Sequence, residues 1–156
     1  MTDAIIIGAD HGGFYLKEEV KNILSDLGLQ VTDTGASTYD SEDDYPEFAA
    51  KVAASVSSGE FERGIIICGS GVGASITANK FSGVRAGLCH DSYSAHQGVE
   101  HDDMNILCLG ARVVGIEVAK ELIAAFVQAS FTGEERHVRR LGKLLSIEQK
   151  CLQNDM

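Results

Sequence analysis

Gly64-Ile65-Ile66-Ile67-Cys68-Gly69-Ser70-Gly71-Val72-Gly73-Ala74-Ser75 decides the fold. A short apolar run ends in a cysteine, and a glycine-dense loop follows at once. The segment Val72–Lys80 beyond it reads as helix. Strand, tight glycine loop and helix in that order aim backbone N–H groups and a helix N-terminus at one point. Such a point binds an anion or stabilises an oxyanion, and Cys68 stands at its edge. The loop therefore points to a phosphate cradle, a reactive cysteine beside an oxyanion hole, or both. The plainer alternative is a tight turn whose glycines serve packing alone.

Working outward, apolar runs alternate with segments of helical period. Ala4–Gly8, Leu29–Thr32, Gly64–Cys68, Val84–Cys89 and Ile106–Leu109 read as strands. Phe14–Leu27 reads as helix, with Leu16, Val20, Ile23, Leu24 and Leu27 on one face and Gly28 as its stop. Pro46, the only proline, suits the first turn of a helix over Glu47–Ser57. Ser92–Glu100, Gly115–Ser130 and Glu134–Gln149 complete the helices. This pattern predicts an α/β three-layer, Rossmann-like sandwich: a five-stranded parallel sheet with helices on both faces and a helix at the C-terminus. In such sheets ligands bind beyond the carboxyl ends of the strands, near a topological switch point. The residues found there are Asp10-His11, Cys68-Gly69-Ser70, His90-Asp91 and Gly110-Ala111-Arg112.

With 156 residues and 44% hydrophobic content, one folded domain is expected over 1–149, with 150–156 as a tail. A formal net charge of −10 excludes a nucleic-acid binder. An anionic substrate would need a local basic cluster, and Arg136-His137-Val138-Arg139-Arg140 supplies one. No apolar run approaches the roughly 20 residues that span a bilayer. The N-terminus lacks the basic region of a signal peptide. Cys68, Cys89, Cys108 and Cys151 form no C-x-x-C pair, so reduced thiols in the cytoplasm are expected. Cys89 and Cys108 read as core, and Cys151 as part of the tail.

Among the polar residues, Asp10-His11 reads either as a helix cap with an exposed histidine or as a ligand pair. His101 reads as a histidine at a helix end or as a general acid–base group. His96 and His101 are five apart, which does not put two metal ligands on one helix face, and no metal site or cofactor is expected. Arg136 and Arg140 share a helix face, either paired with Glu134 and Glu135 or forming a phosphate clamp. Arg112 could add a third guanidinium.

Taken together, these residues resemble the ribose-5-phosphate isomerase B family, which includes galactose-6-phosphate and allose-6-phosphate isomerases. The matching motifs are Gly8 to Phe14, Asp44-Tyr45-Pro46, Ile67 to Gly73, Ala78 to Phe81 and Asn105 to Gly115. The resemblance implies aldose–ketose isomerisation of a phosphosugar, with ribose 5-phosphate and ribulose 5-phosphate as the pair, without a metal. It makes Cys68 the base that moves a proton between C1 and C2 through a cis-enediolate. Gly69, Ser70, Gly71, Val72 and Gly73 become the oxyanion cradle, in line with catalysis by preorganised N–H donors. His101 becomes the ring-opening residue, and Asp10 holds ring hydroxyls. His11, Arg112, Arg136 and Arg140 become phosphate ligands. Many family members carry Asn after the ring-opening histidine, where this chain has Asp102, so Asp102 is expected at the sugar. The resemblance further implies a homodimer with shared sites, His101 and Arg112 crossing from the other subunit, or a tetramer of such dimers.

The rival from another class is a non-catalytic phosphate- or nucleotide-binding module, which would need the glycine loop and arginines but neither Cys68 nor His101. A cysteine phosphatase would want an arginine inside the Cys68–Gly73 loop, which has none.

Overall fold

The computed structural model describes residues 4–153. Strands β1 (Ala4–Ala9), β2 (Gln30–Asp33), β3 (Gly64–Cys68), β4 (Ala86–Leu88) and β5 (Ile106–Gly110) form one parallel sheet in the order β2-β1-β3-β5-β4. Helices are α1 (Phe14–Asp26), α2 (Tyr45–Ser57), α3 (Val72–Ala78), α4 (Ser92–Asp102), α5 (Ile116–Gln128) and α6 (Glu135–Gln153). The α/β sandwich expected from the alternating pattern is therefore present.

The central strands are apolar at every position because both faces are covered. Ile5, Ile7, Ile65, Ile67, Leu107 and Leu109 pack under α1, α4 and α5. Their alternates Ile6, Ile66, Cys68, Ile106 and Cys108 pack under α2 and α3. Cys68 thus ends the middle strand on the α2–α3 face. The strand order reverses direction between β1 and β3, and this switch point holds the Asp10 turn and the Cys68 loop side by side.

Glycines let these loops touch. A Cβ at Gly13 would lie 2.3 Å from the Ile67 carbonyl oxygen, and one at Gly110 would lie 2.5 Å from that of Ser70. Gly71 has φ +77°, the left-handed region that turns strand β3 into α3.

Two boundaries differ from the sequence expectation for local reasons. α3 ends at Ala78, two residues early, because Asn79 leaves the helix to exchange hydrogen bonds with the Ala86 backbone in β4. β4 begins at Ala86 rather than Val84, because Asn105 and Asp103 hold Arg85 in a separate turn. The last helix continues to Gln153, four residues past its expected end at Gln149, and Cys151 is exposed on it. Positions 154–156 of the expected tail lie outside the described residues. Of the 19 residues of α6, His137 alone is buried.

Candidate active site

At the switch point a cleft of about 310 Å³ is lined by Asp10, His11, Gly12, Tyr45, Cys68, Gly69, Ser70, Gly73, Arg112 and Val113. Ligand pockets run from roughly 300 to 1,000 Å³, so this one suits a small molecule better than a dinucleotide.

Cys68 is buried at the end of β3, and the Gly71 amide donates to its Sγ at 3.1 Å. It differs from the other two buried cysteines. Burial pushes the Cys89 thiol up to about 11 and the Cys108 thiol higher still, so both stay protonated within the core. Among these three, Cys68 alone lines the cleft. Beyond it, the Val72 amide donates to Ser70 Oγ at 3.3 Å. The loop's donors come from a tight turn and from a helix of only 7 residues. The amides of the turn therefore carry the anion-binding capacity, and a long helix dipole contributes little.

Asp10 follows β1. It does not cap α1 at the N-cap position, which is Gly13; instead its Oδ1 accepts from the Gly13 amide at 3.1 Å. Burial raises its carboxyl above the ordinary range, opposed by the Gly13 hydrogen bond and the His11 charge.

His11 is gripped by Asp43, which no motif singled out. Asp43 Oδ1 accepts from both the His11 backbone amide at 2.9 Å and its Nδ1 at 2.6 Å. The hydrogen bond to Asp43 raises the His11 imidazole, against the opposing effect of its own burial. Asp10, His11 and Asp43 bring ligating atoms within 4.8 Å of one another, the one such cluster among the described residues. Its geometry is that of a hydrogen-bonded pair, since His11 Nδ1 is spent on Asp43 and Asp10 on Gly13. Tyr45, also unassigned by the sequence, lays its ring over Gly73, where a Cβ would meet it at 2.6 Å.

Arg112 was expected to cross from a second subunit. The structure places it beside its own Gly69, where an added Cβ would lie 3.5 Å from its Nε. It follows β5 directly, so the same sheet edge that positions Cys68 positions this guanidinium.

The remaining candidates are elsewhere. His101 and Asp102 form the last turn of α4, which runs from the carboxyl edge of the sheet back to the amino edge. Roughly 16 Å of strand β5 separates the two edges. His101 Nδ1 pairs with the Gln97 side-chain Nε2 at 2.8 Å, and its ring stacks on that of His137 at 3.9 Å between centroids. Asp102 is exposed beside it. Arg136 pairs with Glu134 at 2.9 Å, as the spacing allowed, and Arg140 is exposed on the same helix. None of these lines the Cys68 cleft.

Comparison with known proteins accounts for the arrangement. Residues 5–144 match the family described as Ribose/Galactose Isomerase. The chain is 46% identical over 147 residues to ribose-5-phosphate isomerase B of Escherichia coli, covering 94% of this chain and 97% of the relative. It is 41% identical over 130 residues to D-erythrulose-4-phosphate isomerase of Pectobacterium atrosepticum, covering 83% and 86%. The solved ribose-5-phosphate isomerase B of Clostridium thermocellum superposes with a TM-score of 0.90 at 48% identity, covering 94% of this chain and 98% of that one. Fold and sequence agree over nearly the whole length, and the chain belongs to the ribose/galactose isomerase family, as a sugar isomerase of the ribose-5-phosphate isomerase B type.

Proposed function

We propose that this isomerase interconverts ribose 5-phosphate and ribulose 5-phosphate through a cis-enediolate, using its own side chains and no cofactor. The observation that carries this reading is Cys68 at the mouth of the glycine turn, with the Gly71 amide on its sulfur and Asp10, Ser70 and His11 around the same cleft. In the forward direction Cys68 Sγ takes the C2 proton of the open-chain aldose and returns it to C1, while the hydroxyl proton passes from O2 to O1. The oxygens on C1 and C2 carry the developing charge, and the Gly69–Gly73 amides with the Ser70 hydroxyl are preorganised to hold it. His11, whose imidazolium the Asp43 hydrogen bond favours, and Arg112 supply the phosphate charge partners inside an otherwise acidic chain.

The cyclic sugar must open first. In that step the C1–O4 bond breaks, O4 takes the Nε2 proton of His101, and the anomeric hydroxyl returns its proton to Nε2. His101 lies at the far sheet edge of its own chain, so we infer that it serves the cleft of a second copy, with Asp102, Arg136 and Arg140. Two features support a homodimer: α6 leaves Val138, Leu144, Ile147 and Leu152 exposed, and Val72, Ile76 and Val113 are exposed on and after the cleft loops. Among the described residues no helix is long and apolar enough to cross a membrane. The thiols of Cys68, Cys89 and Cys108 form no disulfide, which suits a cytoplasmic setting.

A four-carbon phosphosugar is the second reading, favoured by the Pectobacterium relative. Isomerisation of ribose 5-phosphate to its ketose in EDTA, set beside that of allose 6-phosphate to its ketose and of D-erythrulose 4-phosphate to its aldose, tests both. The five-carbon reading requires the highest kcat/KM on ribose 5-phosphate. A higher value on the four-carbon sugar would replace it, and tight binding without turnover of any would restore the binding-module alternative.

A further inference from the structure

We propose that Gln97 is a positioning residue for His101, holding the imidazole with Nε2 as the nitrogen that carries and delivers the proton. The inference rests on the ring-opening reading of His101. Gln97 and His101 stand four apart on α4 and so share one helix face. The amide nitrogen of Gln97 lies 2.8 Å from His101 Nδ1. An NH₂ group only donates, so Nδ1 must be the bare nitrogen and Nε2 the protonated one. The exchange at Nε2 leaves Nδ1 bare throughout, so the Gln97 amide keeps donating to it while O4 takes the Nε2 proton and the anomeric hydroxyl returns one. A carboxylate in its place would require a proton on Nδ1 and so the other tautomer.

The ring cannot swivel away from this partner. His137 lies stacked against it at 3.9 Å and 30°, itself 1% exposed. His137 is fixed by Thr132 Oγ1 at 2.8 Å from its Nδ1, and the Thr132 amide donates to the Glu100 carbonyl on α4. Burial, then the neighbouring His101, hold the His137 imidazole below its ordinary value, which favours a neutral stacked face. Gln97 controls one edge of the His101 ring and His137 one face, leaving Nε2 for substrate.

Gln97→Leu and Gln97→Glu test this in the intact enzyme. Nitrogen-15 correlation spectra of labelled histidine should show His101 in the Nε2–H form in the parent. The leucine variant should show a mixture, and the glutamate variant the Nδ1–H form. Turnover of cyclic ribose 5-phosphate should fall about tenfold in the leucine variant, the worth of one hydrogen bond in the reaction. Release of aldose from ribulose 5-phosphate, which needs no ring opening, should hold. An unchanged tautomer together with an unchanged ratio between the two directions would overturn the assignment. His101→Asn is read in the same assay. If it too spares the cyclic substrate, the ring-opening reading falls, and the catalytic purpose given to Gln97 falls with it whatever the spectra show.

Discussion

Two histidines of this chain sit in opposite surroundings, and the difference separates charge from proton traffic. His11 donates Nδ1 to a carboxylate at 2.6 Å, which also takes its backbone amide. That partner favours the imidazolium, as a group meant to meet a phosphate requires. His101 stacks on a ring whose neutral form burial favours and faces a neutral amide at 2.8 Å. That partner fills Nδ1 without adding a charge and leaves Nε2 to give and regain a proton. The side chain is the same, and its partner decides its task.

The largest expected effect lies with neither histidine. Cys68→Ala should lower turnover about 10³- to 10⁴-fold, equally in both directions, since proton transfer at carbon is common to both. Direction-dependent loss would move that role elsewhere and blur the division of labour. His101→Asn should lower turnover of cyclic ribose 5-phosphate about 100-fold, at the low end for an acid–base group, and spare ribulose 5-phosphate. Mixing these two inactive variants sharpens the comparison further. If His101 of the partner subunit completes each cleft, half of the reassorted dimers carry one intact site. About a quarter of parental activity should then return on subunit exchange. No recovery in an exchanging mixture would mean that sites are built within single chains.

The sequence made one half of this comparison far more readable than the other. The fold was legible because runs such as Ile65–Ile67 are apolar at consecutive positions, a pattern that only a strand covered on both faces needs. Cys68 was legible because it ends such a run against a glycine loop, so the switch-point rule placed it before any geometry was known. Asp43 was not. It lies 32 residues from His11, in a loop that also offers Asp40, Glu42 and Asp44, and nothing local ranks one acid above another. Arg112 was legible as a residue at the end of a strand, and the resemblance sent it across to a second subunit, whereas in this chain it lines its own cleft. Gln97 was readable in principle. The i, i+4 spacing that pairs it with His101 is local, but a glutamine on a helix face carries no chemical signal of its own.

The smallest effect is expected at Asp43, and its sign follows from the direction of the His11 shift. The Asp43 hydrogen bond holds the His11 imidazole above its ordinary value of about 6.5. In the parent enzyme His11 therefore keeps its proton, and KM for a phosphosugar should stay flat, to higher pH than a free imidazole would allow. KM should rise only as pH climbs through the raised value. Asp43→Asn keeps an oxygen acceptor for the ring but removes the charge, so the rise should begin earlier, near pH 6.5. The variant's KM at pH 7.5 to 8 should be a few-fold above the parent's, with kcat retained, because a phosphate that does not react is bound equally in ground and transition states. The same linkage governs folding. A raised folded-state value stabilises the protein fully below about pH 6.5, and that contribution fades as pH rises through the raised value. Thermal stability of the variant should therefore fall behind the parent's most at about pH 6 and converge with it on the alkaline side. Superimposable KM–pH curves would show that Asp43 merely anchors the loop, and His11 would then lose its distinction from His101.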